Sequence, residues 1–287
     1  MSPASPAWLE LIDTMQFGLP GTGAAYHLWE KHHALIDCGT YDAAGLIERT
    51  LSPVALDFLL LTHVHPDHAG AAAPLSRCFP GMSIGVHERG IRHLVDPARI
   101  NESIRASTGP LSEFYGEMEP IPSDRIEALD DEGGIRLGRN ILVEAIETPG
   151  HAPHHLCFYE RSHHILFGGD ALGVNRNGII VPATVPPSFD YEQSLASLDR
   201  LSSYRPKAIY LSHFGPVRKP HTYIDEYKGS LTRWVDDICR LGRRLNEGEV
   251  IRQVLRQERF AALGDRLRLE LGMCVRGVLQ YLERAGR

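Results

Sequence analysis

Basic residues are in deficit. Thirty Lys and Arg stand against 36 Asp and Glu, a formal net charge of −6, which argues against a dedicated nucleic-acid binder. Cysteine is sparse and unpatterned: Cys38, Cys78, Cys157, Cys239 and Cys274 are widely separated, with no CxxC pair. The expectation is buried, reduced thiols in a cytoplasmic protein. No apolar run approaches the ~18–20 residues of a membrane span. Met1 to Glu30 contain no Lys or Arg, so the charged start of a secretory leader is lacking. With 43% hydrophobic and 23% charged residues over 287 positions, disorder is a poor description. The length suits one large domain or two ordinary ones with a sizeable core. Against this plain background histidine stands out. Of 15 residues, three fall at His63, His65 and His68, and five fall between His151 and His164.

Short apolar runs at Ala34–Ile36, Phe58–Leu61, Ile84–Val86, Ile141–Ile146, Leu156–Tyr159, Ile165–Phe167 and Ala208–Leu211 are too brief for helices and are bounded by turn or charge signals. They read as buried strands. Helical stretches at Ala43–Arg49, His68–Arg77 and Tyr191–Ser203 lie between some of them, an α/β pattern. Residues 96–134 are rich in Pro and Gly and read as an insertion over the surface, with a short helix around Ala98–Ala106. Within it Phe114, Tyr115 and Met118 either line a pocket or pin the loop to the core. From His221 onward apolar residues recur at alternating three and four spacing: Ile224, Tyr227, Leu231, Trp234, Ile238, Leu241 and Leu245, then Leu267, Leu271, Val275, Val278 and Leu282. These are two helical seams. The division expected is a catalytic unit over 1–220 and a helical region over 221–287. Ten Arg against six acids from Arg243 onward leave room for a partner or homodimer surface beside the plainer reading of a solvated cap.

The chemistry lies just past the strand ends. Thr62-His63-Val64-His65-Pro66-Asp67-His68 follows Phe58–Leu61 directly, where α/β sites usually sit. His151, Asp170 and His213 each follow another apolar strand in the same way. Together His63, His65, Asp67, His68, His151, Asp170 and His213 are too many ligands for one tetrahedral ion with an open position. They suit two ions sharing a carboxylate and a water.

HxHxDH at 63–68 followed by single His, Asp and His, with Leu35-Ile36-Asp37-Cys38-Gly39 at an earlier strand end, resembles the metallo-β-lactamase-fold hydrolase superfamily over residues 10–220. The resemblance implies an αββα sandwich with the metals at one edge, carrying here a C-terminal helical extension. It implies one site of His63, His65 and His151, another of Asp67, His68 and His213, and Asp170 bridging. Asp37 would support the ligands rather than bind metal. Two divalent ions, zinc first with Fe or Mn as alternatives, would lower the pKa of a bridging water and supply the attacking hydroxide.

Thr148-Pro149-Gly150-His151-Ala152-Pro153-His154-His155 is similar to the TPGHTPGH stretch of glyoxalase II-like thioesterases, lactonases and persulfide dioxygenases. It points to an ester, thioester or lactone of a small molecule. Asp67, Asp170, His154, His155 and His221 are the candidate catalytic or substrate-contacting residues. Lactonases place a tyrosine three residues past the bridging Asp; here that position is Gly173, with Tyr191 or Tyr223 as candidate substitutes. The alternatives are a single-iron, persulfide-dioxygenase-like oxidoreductase using His63, His151 and Asp170, and a metal-dependent phosphodiesterase or nuclease sharing HxHxDH. The acidic balance disfavours the nuclease. His27, His32, His33, His87, His93, His163 and His164 fall outside the ligand motifs and read as structural or surface residues.

Overall fold

Alternate side chains in the short apolar strands enter different cores, which explains why the runs are apolar without a break. The computed structural model describes residues 6–109, 112–176, 178–260 and 263–287, apart from the side chains of residues 259 and 265–267. The first sheet has the order β1 (Leu9–Asp13), β2 (Ala24–Trp29), β3 (His33–Ile36), β4 (Phe58–Leu60), β5 (Ser83–Val86), β6 (Ile126–Ala128). It is antiparallel through β1–β2–β3 and parallel from β3 to β6. The second sheet runs β13 (Ala208–Tyr210), β10 (Ile165–Phe167), β9 (Leu156–Glu160), β8 (Leu142–Glu147), β7 (Gly134–Arg136). A ribbon of β11 (Val174–Arg176) and β12 (Ile179–Val181) lies apart.

Three cores follow from strand parity. Ile36, Leu60, Phe158, Phe167 and Tyr210 meet between the sheets. Leu35, Leu59 and Ile84 face outward onto α1 (Ala44–Leu51) and α3 (Ala72–Cys78). Cys157, Leu166 and Ile209 face the other way, onto α7 (Tyr191–Ser203) and α8 (Pro220–Gly242). Helix, sheet, sheet, helix is the expected sandwich.

Ile165–Phe167 and Tyr191–Ser203 form with the bounds read from sequence. The helix expected over His68–Arg77 is instead two, α2 (Pro66–Ala69) and α3. The chain packs tightly at the break, where a Cβ on Gly70 would stand 2.8 Å from the Tyr41 backbone nitrogen. The insertion is shorter than 96–134. It contains α5 (Ala98–Thr108) and α6 (Ser112–Tyr115), but β6 already belongs to the first sheet and β7 to the second. Its large apolar residues divide: Met118 packs into the core under the first sheet, whereas Tyr115, edge-on to Phe17 at 5.5 Å, lines a cavity.

The C-terminal seams turn inward. Tyr223, Tyr227, Leu231 and Trp234 of α8, Val250 and Val254 of α9 (Glu247–Leu255), and Val275, Val278 and Leu282 of α10 (Asp265–Arg284) share one core with the second sheet. Leu267 lies outside the described side chains. No described helix is long and apolar enough to cross a membrane.

Candidate metal centre

The loop after β4 carries four of the seven residues. Pro66 occupies the first turn of α2 and lacks the N–H that would go unused there. His65 precedes it in extended geometry, φ −71° and ψ 149°. His63 and His65 therefore leave the sheet edge before the chain coils, and Asp67 and His68 lie in the coil. The later strands bring the rest. Thr148 N–H bonds His155 O, closing the loop that holds His151. Asp170 lies in a 3-10 turn after β10, and His213 follows β13.

The ring nitrogens converge. His65 Nδ1 is 2.9 Å from His63 Nε2 and 3.0 Å from His151 Nε2. His213 Nε2 lies 3.6 Å from Asp67 Oδ2 and 3.2 Å from Asp170 Oδ1, and His68 Nε2 is 3.3 Å from that same Asp170 oxygen. The other Asp170 oxygen is 3.4 Å from His151 Nε2. Asp170 thus stands between two histidine groups. Edges of this size are those of a cation's ligand polyhedron; nitrogens ~2.05 Å from a tetrahedral ion lie about 3.3 Å apart.

Behind the cluster the outer ring nitrogens of four histidines are held. Asp37, at φ +56° where Asp is among the residues best tolerated, receives the Thr62 backbone N–H at 2.9 Å, the Ser212 hydroxyl at 2.8 Å and His68 Nδ1–H at 2.8 Å. Thr62 donates its hydroxyl to Asp37 and so accepts from His63 Nδ1–H at 3.0 Å. His151 Nδ1–H donates to Ala183 O at 2.8 Å and His213 Nδ1–H to Thr22 O at 3.3 Å. The Nε2 lone pairs of His63, His68, His151 and His213 all face inward. Two of the inward atoms, His68 Nε2 and Asp170 Oδ1, are buried without a hydrogen-bond partner. Buried polar atoms left unpartnered in this way cost of order 1–3 kcal/mol each, and a bound cation would satisfy both. His63, His65 and His151; His63, His68 and Asp170; and Asp67, His68 and His213 each form a group able to hold metal.

The charges agree with that use. Burial, helped by neighbouring imidazoles, drives His63 and His65 well below the usual histidine range. Burial alone would raise the Asp170 carboxyl, but His213, His68 and His151 outweigh it and hold the group well below its ordinary value. Burial would also lower His68, yet Asp170, Asp37 and Asp67 raise it, so an ion at its Nε2 displaces a proton that the same carboxylates attract. Gln16 Nε2–H bonds Asp67 Oδ2 at 3.1 Å.

The remaining candidates separate. His155 Nε2 accepts from the backbone N–H of Asp170 at 3.0 Å and of Ala171 at 3.3 Å, so its proton is on Nδ1, which meets Thr148 Oγ1 at 2.8 Å. It braces the Asp170 turn and does not face the cavity. Gly169 lets it approach: at φ +49°, an added Cβ would stand 2.5 Å from His155 Nε2. His154 accepts from Val64 N–H at 3.3 Å and lines the cavity over the cluster. His221 is exposed in the first turn of α8 and lines none of that cavity; eight residues from His213 along the chain, it is carried outward as the helix begins. Tyr191 and Tyr223 donate to Thr232 Oγ1 and Leu172 O and do not line the cavity. Gly173, at φ +64°, has no room for a tyrosine, because any Cβ would run into the Tyr227 ring. Of the histidines set aside, His27 meets His33, His32 meets Asp57, His163 meets Glu160 and His164 meets Tyr159. His93 proves to line the cavity.

Sequence reasoning missed several contributors. A cavity of about 480 Å³ opens over His65, Asp67, His151 and Asp170. A smaller pocket beside it is lined by Tyr115, Arg176 and Glu270. Arg176 donates to Thr22 O at 2.7 Å, the carbonyl that also holds His213. Burial chiefly, with repulsion from Asp67, pushes Glu270 up to about 7. In sequence Glu270 is one of many polar residues on a seam-bearing helix, and nothing marks it. Cys38 and Cys157 play the packing part expected of them, their thiols donating to His68 O at 3.1 Å and Gly168 O at 3.2 Å.

Comparison with known proteins places this arrangement. Residues 19–213 match the family model described as the metallo-beta-lactamase superfamily. A metallo-beta-lactamase fold-containing protein of Sulfurisphaera tokodaii is 31% identical over 166 residues, 56% of this chain and 62% of that protein. An atrochrysone carboxyl ACP thioesterase of Aspergillus fumigatus is 28% identical over 64% of this chain and 38% of its own length. A hydroxyacylglutathione hydrolase of Aeromonas hydrophila is 30% identical over 64% of this chain and 58% of its own. The chain thus spans less than two thirds of each of these relatives. Among solved structures, an archaeal superfamily protein from Sulfolobus tokodaii superposes with a TM-score of 0.75 at 24% identity, covering 96% of this chain and all of that one. A metallo-beta-lactamase family protein from Thermus thermophilus gives 0.70 at 23% identity, covering 98% and 95%. These two share the fold. With the family model covering the strands and loops that build the cluster, the chain belongs to the metallo-beta-lactamase superfamily.

Proposed function

We propose that this protein is a hydrolase dependent on two divalent metal ions, zinc first among them, that cleaves a carboxylic ester, thioester or lactone of a small molecule. The observation that carries the reading is the Asp170 carboxylate set between two groups of histidines, with Asp170 Oδ1 and His68 Nε2 both buried and unpartnered. His63, His65 and His151 would hold one ion, Asp67, His68 and His213 the other, and Asp170 both. Such a pair supplies hydroxide from water near neutral pH and polarises a carbonyl oxygen. The relatives named above as a thioesterase and as a hydroxyacylglutathione hydrolase favour an acyl substrate.

The chain's own groups complete the site. Asp37 and Thr62 keep His68 and His63 in the tautomer that turns Nε2 inward. His155 holds the backbone of Asp170, so its carboxylate keeps one orientation. Tyr115 lies where the two pockets meet, beside Asp67 and Asp170. Burial, reinforced by Glu270 and Asp67, keeps its phenol protonated. It is placed to donate to a carbonyl oxygen or a leaving group, the part that Gly173 cannot play. Stripping the protein with a chelator, restoring Zn, Mn or Fe singly, and assaying thioesters, lactones, esters and phosphodiesters tests the reading. Metal-restored acyl hydrolysis is the expected result. Turnover confined to phosphodiesters, or oxygen uptake with one iron per chain, overturns it.

A further inference from the structure

Several arginines of this acidic chain carry a surface carboxylate partner: Arg77 pairs with Glu119, Arg105 with Glu117, Arg200 with Asp131 and Arg276 with Glu247. Three do not. Arg89 and Arg92 lie one turn apart on α4 (Glu88–Val95), and Arg99 lies in the first turn of α5. All three line the 480 Å³ cavity, and among the described residues none has a carboxylate partner. Among the described residues, the carboxylates lining that cavity are Asp67 and Asp170, both committed to the cluster at its floor. His93 stands between the arginines and His154; its Nε2 accepts from Arg92 Nε–H at 3.3 Å and so aims the guanidinium. Ser103, Ser107 and Thr108 continue the polar wall along α5, and Val185, Pro186 and Met273 form an apolar wall. A cavity of this size suits a small organic ligand. Three unpaired guanidiniums on one side of it, in a chain of net charge −6, select for negative charge there.

We propose that Arg89, Arg92 and Arg99 form a subsite for an anionic group, carboxylate or phosphate, on the substrate, with the apolar part of the ligand along Val185 and Met273. The proposal rests on the hydrolase reading for the position of the scissile bond, but not for binding. The substrate class it defines is an acyl ester or thioester carrying at least one negative charge away from the reacting carbonyl.

The test is calorimetric binding to the metal-loaded full chain of non-hydrolysable thioethers in matched pairs. S-methylphosphopantetheine is compared with S-methylpantetheine, which lacks only the phosphate. S-methylglutathione is compared with its diethyl ester, which lacks both carboxylate charges. In at least one pair the charged form is expected to bind about tenfold tighter at low salt, from three partly exposed charge-assisted contacts. The pair that discriminates tells phosphate from carboxylate. The preference should shrink with added salt. It should collapse toward unity in the triple Arg89→Gln, Arg92→Gln, Arg99→Gln variant and return in part in the corresponding Lys variant. Arg240→Gln, at an exposed position of α8 paired with Asp237, is the control that keeps the preference. Equal affinities within both pairs, absence of binding by every charged probe, or a preference that survives the triple substitution overturns the subsite. Failure of all acyl hydrolysis with charge-selective binding intact would sink the hydrolase reading alone. Hydrolysis indifferent to substrate charge and to the arginines would sink the subsite alone.

Discussion

Asp37→Asn is the substitution that probes the site most sharply without altering its shape. Each Asp37 oxygen accepts two hydrogen bonds. One takes the Thr62 N–H and hydroxyl at 2.9 Å each, and the other takes His68 Nδ1–H and the Ser212 hydroxyl at 2.8 Å each. An amide supplies one oxygen and one NH₂, so whichever way it turns, two donors meet a donor. Asp37 is 1% exposed, and water cannot take over. The cost is about 3 kcal/mol of stability, from one or two unsatisfied buried donors and the lost charge beside His68. The second consequence is at the cluster. Without a carboxylate on Nδ1, His68 can protonate the wrong nitrogen, and so can His63, which Thr62 links to the same group. Loss of such an orienting partner weakens metal binding roughly 10–100-fold, about 1.4–2.7 kcal/mol. Urea unfolding of the metal-free protein measures the first effect, and zinc competition against a chromophoric chelator measures the second. Wild-type zinc affinity in a folded Asp37→Asn protein would refute the orienting role.

Further outcomes follow from other residues. His155→Ala removes the acceptor of two backbone N–H groups and is expected to destabilise by about 2–3 kcal/mol, visible in the urea midpoint; an unchanged midpoint contradicts the brace. Tyr115→Phe should lower kcat roughly 10²-fold with little change in KM or metal content, as loss of one positioned donor does; a change in KM alone would reassign Tyr115 to binding. His27, remote from the cluster, is driven down to about 4 by burial and by His33. Its unfolded value is near 6.5, so its contribution is complete above that pH and is lost as pH falls toward 4. Chemical denaturation at a series of pH values should show that decline, and His27→Gln should reduce its slope; a variant with the wild-type slope refutes the assignment.

What could be read from the letters was what is local. His63, His65, Asp67 and His68 sit within six residues behind an apolar strand, so spacing alone places them at one sheet edge. His151, Asp170 and His213 were legible because each also follows a strand. The strands themselves were legible where both faces are buried, as in Ile165–Phe167. β6 and β7 were not, since Ile126-Glu127-Ala128 and Gly134-Ile135-Arg136 are extended by pairing with Ile84 and Val143 rather than by their own composition. Tyr115 was legible only as a pocket candidate, because its partners Phe17 and Glu270 come from opposite ends of the chain. The arginine wall was invisible for the same reason: Arg89, Arg92 and Arg99 look like any helix-surface arginines until the fold turns α4 and α5 over the cluster.

Metal content per chain, measured by plasma mass spectrometry together with thioester hydrolysis on wild type, Asp67→Ala and His68→Ala, tests the central claim most directly. Two divalent ions per wild-type chain are expected, falling to about one in either variant, with most activity lost. One ion in all three proteins, or full hydrolysis in the variants, would contradict a two-ion site bridged by Asp170.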